Sequence, residues 1–237
     1  MFIKNKKMFK IKEFENYNVS AIFTRKSFTE ENNLEELLSE KEILIKAYQR
    51  HTDIVIDITK EEKKTYFDGV DGFITKRDDL ALITKHADCL PIFLYDKKEK
   101  VIGLVHSGWK GSLQEIGIKA LNLMKKNYNS NVKNIIVGLG IGISCENYEV
   151  GEEFYEQFKN KFSNEIIENS FKIYKGKRHF DNSNFNKFNF LKNGILEENI
   201  IISDECTFTG DFCSFRRDKN KDRNYAVIYF DTKKPKQ

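Results

Sequence analysis

Short runs rich in β-branched and aromatic residues recur along this chain and indicate its fold class. Runs of this composition, bounded by polar residues, are typical of β-strands. The runs between Leu80 and His106 are the most continuously apolar, as expected of strands buried on both faces. The predicted strands cover Val19–Thr24, Ile43–Tyr48, Asp53–Ile58, Gly72–Thr75, Leu80–Thr84, Ile92–Tyr95, Val101–His106, Asn134–Ile141, Phe171–Tyr174, Ile200–Ser203 and Tyr225–Phe230.

Helical periodicity is confined to three segments. The clearest begins near Ser112, and the others cover about Gly151–Phe162 and Ser183–Asn193, each with apolar residues on one face. Many strands with few helices predict an α+β fold in which helices cover the sheets. The 237 residues include 2 Pro and no Gly/Ser-rich stretch, so we expect one domain over residues 1–237, with mobile ends at residues 1–10 and 232–237.

The composition predicts a folded protein with little net charge. Aromatic residues reach 13%, whereas disordered chains are poor in them. The 40 basic and 36 acidic residues are largely interspersed, and the lysine runs indicate solvated surface rather than nucleic-acid binding. No stretch approaches the roughly 20 apolar residues of a membrane span, and no signal-peptide core is present. Because four widely spaced cysteines fit a reducing compartment, we expect a soluble cytoplasmic protein that binds neither nucleic acid nor membranes.

Three predicted strands end at a His or Cys, where the chain turns into polar or glycine-rich residues. These residues are His51, Cys89 and His106. Two imidazoles and one thiolate suit zinc, and three protein ligands leave the fourth position open for water. Zinc lowers the pKa of such a water to about 7, which supplies hydroxide for attack on an electron-poor carbon. Spacing alone supports this site only weakly, because the donors follow neither a CxxC nor an HExxH pattern.

These segments resemble the signatures of the YfiH-like family, also called the laccase-domain or multifunctional purine nucleoside phosphorylase family. The family motifs read roughly Q-x-H, T-A-D-C-x-P and H-x-G-W-[KR]-G, and they correspond to Gln49–His51, His86–Pro91 and His106–Gly111. The resemblance spans nearly the whole chain. Further matching segments are Phe23–Arg25, Asp71–Gly72, Gly138–Val150, Cys206–Thr207 and Ser214–Asp218.

The resemblance implies a zinc site on His51, Cys89 and His106. It also implies phosphorolysis of adenosine, inosine, guanosine and methylthioadenosine, and hydrolytic deamination of adenosine. The substrates would then be purine nucleosides and phosphate, and the enzyme both a transferase and a hydrolase. The implied fold is a single α+β domain with mixed sheets packed between helices, in an α/β/β/α arrangement. The oligomeric state stays open.

Phosphorolysis needs cations that hold inorganic phosphate, and arginine suits bidentate capture of an oxyanion. Arg25 and Lys110 rank first because they lie in motif segments, although surface solvation is the alternative for each cation. Asp88 is a third catalytic candidate, as a general base or as a carboxylate that orients a ligand imidazole, and its alternative is to cap a turn. The remaining cationic candidates are Arg50, Arg216 and Arg217.

Two departures from the family pattern concern the site. Residues 26–30 replace the family's glycine-rich turn, and His86 stands where the family has Thr. His86 either partners the metal site or lies at the surface. We expect His179 to be exposed, Trp109 to pack in a hydrophobic wall, and the three other cysteines, Cys145, Cys206 and Cys213, to be buried.

Three other functions fit part of the pattern. A His₂Cys set also suits copper, and the family has been described as oxidising polyphenols, but a multicopper laccase needs more imidazoles than the 4 His present. Cys89 could instead be a nucleophile activated by a histidine, without a metal. A structural metal in a binding module is the last alternative, but closed structural sites have four protein ligands rather than three.

Overall fold

The computed structural model describes residues 2–4, 8–28, 34, 38, 41 and 43–231. The α-helices in this part of the chain are α1 Lys12–Glu15, α2 Trp109–Leu113, α3 Ile116–Tyr128, α4 Glu152–Lys159, α5 Asn164–Ser170, α6 Asn182–Lys192 and α7 Phe215–Asp218. The strands are β1 Phe2–Lys4, β2 Met8–Ile11, β3 Val19–Thr24, β4 Ile43–Tyr48, β5 Val55–Asp57, β6 Tyr66–Asp68, β7 Gly72–Thr75, β8 Leu80–His86, β9 Leu90–Asp96, β10 Val101–Ser107, β11 Ile135–Leu139, β12 Phe171–Tyr174, β13 Lys177–Phe180, β14 Ile200–Ile202 and β15 Asn224–Phe230.

The strands form two large mixed sheets and one hairpin. Sheet one has the order β1-β2-β3-β15-β8-β4-β6, and sheet two has the order β14-β11-β9-β10-β7-β5. In sheet one, β8 pairs with β15 in antiparallel and with β4 in parallel orientation. In sheet two, β9 lies between β10 and β11, antiparallel to both. Strands β12 and β13 form the separate hairpin.

The main core lies between the two sheets. It consists of side chains such as Phe23 and Leu82 from sheet one, and Phe73, Phe93 and Leu104 from sheet two, all fully or almost fully buried. Alternate side chains of a strand point to opposite faces of its sheet. Each strand therefore contributes side chains to this core and also to the layer on the outer face of its sheet.

Each sheet has a second apolar face that is also covered. Leu121 and Met124 of α3 and Phe190 of α6 pack on sheet two, while Leu34 and Leu38 pack on the outer face of sheet one. The predicted single α+β domain with mixed sheets between covering layers is confirmed. A phenylalanine-rich cluster of α4, α5, α6 and the hairpin adds a further apolar unit.

Each predicted strand run overlaps a strand of the structure. Within the described residues, the prediction omitted β1, β2, β6 and β13, which are three or four residues long and mostly interrupted by charged side chains. The helix predicted from Ser112 onward is two helices, α2 and α3. They are separated at Glu115, whose φ of 58° places it in the left-handed region.

The ends of the chain were predicted to be mobile. Of residues 1–10, the structure describes β1 and part of β2, which pair with each other, and Met8 and Phe9 of β2 are buried. Residues 232–237 lie outside the described residues. A membrane-crossing helix is not found in the part of the chain that was described.

The connections between the two sheets carry two of the predicted metal ligands. Strand β8 ends in sheet one at His86, and β9 begins in sheet two at Leu90, so residues 87–89 carry the chain across. The end of β10 lies beside the start of β9, since His106 is paired with Pro91. The chain also crosses from sheet one to sheet two between β4 and β5, and His51 lies in that crossing.

Candidate metal centre

His51, Cys89 and His106 converge at this junction of the two sheets. Their ligand atoms all lie within 4.8 Å of one another, and Sγ of Cys89 is 3.7 Å from Nε2 of His51. The three residues predicted as metal ligands are thus brought together in space. His106 is almost fully buried, Cys89 is half-buried and His51 is exposed, so the cluster opens to solvent on the His51 side.

The separation of Cys89 and His51 fits a tetrahedral zinc ion. Zn–S bonds of about 2.3 Å and Zn–N bonds of about 2.05 Å at a tetrahedral angle place sulfur and nitrogen about 3.6 Å apart. The 3.7 Å between Cys89 Sγ and His51 Nε2 agrees with that value. This donor pair therefore has the separation that a tetrahedral zinc ion requires, and all three donor atoms lie within 4.8 Å of one another.

Asp71 fixes both histidines with a single carboxylate. Its Oδ1 accepts from Nδ1 of His106 at 2.7 Å and from the backbone N–H of His51 at 3.1 Å. Its Oδ2 accepts from the backbone N–H groups of Arg50 and Thr52 at 3.2 and 2.9 Å. Because Nδ1 of His106 is bonded to this fully buried carboxylate, Nε2 is left as the donor for a metal.

The loop that carries His51 requires unusual backbone and close packing. His51 has a φ of 59°, in the left-handed region that few non-glycine residues occupy. Gly108 packs directly on the site, since a Cβ built there would lie 2.7 Å from Cδ2 of His51 and 3.0 Å from Sγ of Cys89. The glycine of the third motif is thus explained by contact with two of the three donors.

The charges of the donors depend on one another. Burial by itself raises the pKa of the Cys89 thiol, but the charge of His106 and hydrogen bonds from His106 and His51 lower that pKa to about 6. Burial lowers the pKa of His106, but the Cys89 thiolate and Asp71 raise it to about 9. Cys89 is therefore ready to ligate as a thiolate at neutral pH, and binding of a metal to His106 requires release of its proton.

His86 lies inside the protein beside the three donors. It is fully buried, and the centre of its ring is 5.1 Å from that of His106. Its Nδ1 is 3.0 Å from the carbonyl oxygen of Cys89, and its Nε2 is 2.7 Å from Oγ1 of Thr84. The prediction that His86 could lie at the surface is wrong, because its side chain, at the end of β8, points into the junction of the two sheets.

The hydrogen bonds of His86 define its tautomer. A carbonyl only accepts, so Nδ1 carries the proton, and Nε2 accepts from the Thr84 hydroxyl. Burial lowers the pKa of His86 well below its ordinary value, and the charge of His106 acts in the same direction, so the ring is neutral. Both nitrogens are engaged, and His86 supports the Cys89 backbone rather than offering a fourth ligand.

Asp88 uses both carboxylate oxygens to hold neighbouring segments. Oδ1 accepts from the hydroxyl of Thr207 at 2.6 Å, and Oδ2 accepts from the backbone N–H of Arg216 at 2.7 Å. These bonds fix the start of α7 beside the connection from β8 to β9. The geometry matches the alternative of a carboxylate that caps a turn, and a role as general base stays a prediction.

Most of the candidate cations have partners within the protein. Arg25 lies 3.6 Å from Asp211 and over the ring of Phe9, and Arg50 is paired with Asp68 at 2.8 Å. Arg217 donates to the carbonyls of Thr207, Phe208, Gly210 and Phe212 and to Asp218. Lys110 is exposed and lies near its neighbour Trp109. The roles of Arg25 and Lys110 in catalysis stay predictions.

An aromatic wall begins one residue after Gly108. The ring of Trp109 lies 5.2 Å from that of Phe154, which in turn is 6.3 Å from Tyr148. Trp109 packs in this wall, as predicted. Burial raises the pKa of Tyr148, and the charges of Cys89 and Asp88 add to that rise, whereas the charge of Arg216 opposes it.

Asp71 and Tyr148 lie in motifs that match the family, but no role was predicted for either residue. Their position in those motifs was the available signal. His179 was predicted to be exposed, and this is wrong: it is buried and its Nδ1 lies 2.9 Å from the carbonyl oxygen of Cys145. The predicted burial of three cysteines is confirmed for Cys145, Cys206 and Cys213.

Known proteins share the sequence motifs and the fold of this chain. A family model described as multi-copper polyphenol oxidoreductase laccase matches residues 10–231. The chain belongs to this family. The resemblance inferred from the motifs is thereby confirmed, and this laccase-family chain shares its fold with solved structures. One of these is YfiH of Bacillus licheniformis, described as a hypothetical protein, with a TM-score of 0.87, 24% identity and coverage of 97% of this chain and 98% of that one.

Two curated relatives carry the names of purine enzymes. A purine nucleoside phosphorylase of Borreliella burgdorferi is 39% identical over 183 residues, which is 76% of this chain and 76% of the relative. The adenosine deaminase RL5 of an unknown prokaryotic organism is 28% identical over 174 residues, 71% of this chain and 65% of the relative. These relatives confirm the prediction of an enzyme.

Proposed function

We propose that this protein is a zinc-dependent enzyme that acts on purine nucleosides in the cytoplasm. It would phosphorolyse adenosine, inosine, guanosine and methylthioadenosine, and deaminate adenosine by hydrolysis. The observation that carries the proposal is the cluster of His51, Cys89 and His106, whose three donor atoms lie within 4.8 Å of one another and open to solvent. The names of the phosphorylase and deaminase relatives support the substrate class.

Zinc suits this cluster better than the copper sites of an oxidase. Within the described residues, one group of His, Cys, Asp or Glu side chains has metal-binding spacing, and it contains only three donors. Multicopper oxidation requires several copper ions with many more imidazoles. His51, Cys89 and His106 would hold the zinc ion, which would supply Lewis acidity and lower the pKa of a water molecule to about 7.

The residues around the donors prepare the site for that chemistry. Asp71 holds His106 in the tautomer that presents Nε2, and it fixes the backbone of the His51 loop. His86 holds the Cys89 carbonyl. Trp109 and Tyr148 offer aromatic surface beside the donors, on which a purine base can stack. The four unpaired cysteines support the proposed location in a reducing compartment.

Metal content and phosphate dependence test the proposal together. The purified protein is analysed for zinc and copper per chain, and adenosine and inosine are assayed with and without phosphate. We expect stoichiometric zinc, base release that requires phosphate, and formation of inosine from adenosine without phosphate. Chelation removes both activities, and added zinc restores them.

Variants separate the alternatives. Cys89→Ser is expected to lose zinc and activity, because an alcohol is a much weaker zinc ligand than a thiolate. Cys145→Ser is the matched control, since Cys145 is a thiol outside the cluster. Activity that survives chelation but not Cys89→Ser would indicate a thiol nucleophile instead. Copper-dependent oxygen consumption would favour polyphenol oxidation, and activity that survives both treatments would refute a role for the site.

A further inference from the structure

Arg216 is the candidate cation beside the metal centre whose guanidinium forms no ion pair with an acidic side chain in the described part of the chain. Among the described residues, Arg216 makes no ion pair, and its guanidinium is engaged by one hydrogen bond, from Nη1 to the carbonyl oxygen of Glu149 at 3.3 Å. By contrast, Arg25 lies near Asp211, Arg50 is paired with Asp68, and Arg217 is fully engaged by backbone carbonyls and Asp218. An arginine in this state retains donors for an anion from solution.

The backbone of Arg216 is fixed next to the metal donors. Its N–H donates to Oδ2 of Asp88 at 2.7 Å, and Asp88 directly precedes Cys89. Because the other oxygen of Asp88 is bonded to Thr207, this carboxylate is occupied on both sides. The bond to Asp88 involves the main chain, so it leaves the Arg216 side chain available.

Tyr148 lies against the same guanidinium. The Arg216 Cζ atom is 5.3 Å from the centre of the Tyr148 ring, and Phe180 holds that ring at 5.8 Å. The Tyr148 hydroxyl forms no hydrogen bond with any residue that the structure describes. Burial and the charge of Cys89 raise the pKa of this phenol more than the charge of Arg216 lowers it, so its hydroxyl remains a donor at neutral pH.

We propose that the Arg216 guanidinium and the Tyr148 hydroxyl bind the inorganic phosphate used in phosphorolysis, at the rim of the metal centre. This inference rests on the proposed function. In the reaction, a phosphate oxygen forms a bond to C1′ of the nucleoside, and the glycosidic C–N bond breaks. The electron pair of that bond leaves with the purine, which takes up a proton. A planar guanidinium presents two parallel N–H donors to two phosphate oxygens, which the exposed ammonium of Lys110 cannot do.

The test compares Arg216→Gln with Arg178→Gln in the zinc-loaded protein. Arg178 is a matched control because it also lies over a tyrosine, Tyr155 at 3.6 Å, but its guanidinium is paired with Glu152. We expect Arg216→Gln to raise the KM for phosphate by at least about tenfold, since hydrogen bonds to charged groups are lost. The KM for inosine and the rate of phosphate-independent adenosine deamination should stay within about twofold of wild type.

Tyr148→Phe removes the second donor while keeping the ring. We expect it to raise the KM for phosphate by about threefold to tenfold. Equilibrium binding of radiolabelled phosphate to the same variants gives a readout that does not need turnover. A wild-type protein that binds phosphate through Arg216 but releases no base would refute the proposed phosphorolysis and support this inference.

Four outcomes would overturn the assignment. They are wild-type protein that binds no phosphate, unchanged phosphate binding in Arg216→Gln, an equal loss in Arg178→Gln, and a loss confined to Lys110→Gln. An equal fall in deamination and phosphorolysis for Arg216→Gln would likewise contradict it, because a phosphate-binding residue should not affect the reaction that uses water.

Discussion

Replacing Asp71 by asparagine tests how the site is preorganised. The change keeps the shape of the side chain but leaves one acceptor oxygen where the native carboxylate has two. If that oxygen takes the Oδ1 position, the bonds from His51 and His106 are kept. The backbone N–H groups of Arg50 and Thr52 then face the amide NH₂ and lose their acceptor. If the amide is reversed, the His106 ring and the backbone N–H of His51 lose their acceptor instead.

The magnitude follows from the number of bonds lost. Each hydrogen bond to a charged group contributes about 1.5–3 kcal/mol, so losing two lowers the free energy of unfolding by about 3–6 kcal/mol at most. Replacing a residue that orients a metal ligand typically weakens metal affinity 10- to 100-fold, which corresponds to about 1.4–2.7 kcal/mol of binding free energy. We therefore expect Asp71→Asn to weaken zinc binding by that factor even where the protein is fully folded.

Competition with a chromophoric chelator measures the zinc Kd, and urea unfolding of the zinc-free protein measures stability. Asp57→Asn is the matched control, because Asp57 also accepts two hydrogen bonds, from Tyr128 and Asn127, but is not part of the donor cluster. That variant should lose stability and keep its zinc affinity. A zinc Kd of Asp71→Asn within twofold of wild type would show that Asp71 does not orient the ligands.

Three further outcomes are expected. Gly108→Ala should weaken zinc binding at least about tenfold, because its Cβ would lie 2.7 Å from the His51 ring and 3.0 Å from Cys89 Sγ; an unchanged Kd by chelator competition would contradict this contact. In zinc-free protein, alkylation of Cys89 by iodoacetamide, followed by mass spectrometry, should rise with pH around a midpoint of about 6, since the thiolate forms above the pKa. Burial raises the pKa of Cys145 to about 12, so this thiol should stay unmodified at pH 7. A midpoint above 8 for Cys89 would contradict its charge pair with His106. Phe158→Ala should lower the free energy of unfolding by about 3–5 kcal/mol in urea titrations, because the ring is fully buried, and a loss below 1 kcal/mol would mean that the cluster repacks.

Most of the strands and the candidate metal ligands were predicted from local and motif patterns. The run Val19–Thr24 was predicted with the bounds that the structure gives, because β-branched and aromatic residues favour extended backbone wherever the chain places them. Cys89 and His106 were identified by motif, although spacing alone could not show that their donor atoms meet. The short strands with charged residues, such as β13, lacked such a pattern and were missed.

The tertiary structure decided which polar residues support the site. Asp71 and His106 are 35 residues apart and meet because β7 and β10 pair as neighbouring antiparallel strands of sheet two. His86 and His179 are buried in the folded protein. Arg25 lies near Asp211, whereas the Arg216 guanidinium keeps N–H donors that are not hydrogen-bonded. The sequence by itself determined most of the strands and the types of donor, because backbone preference and ligand chemistry are properties of single residues and short segments. Partners, protonation and access depend on atoms distant in sequence, and only the packed fold brings those atoms together.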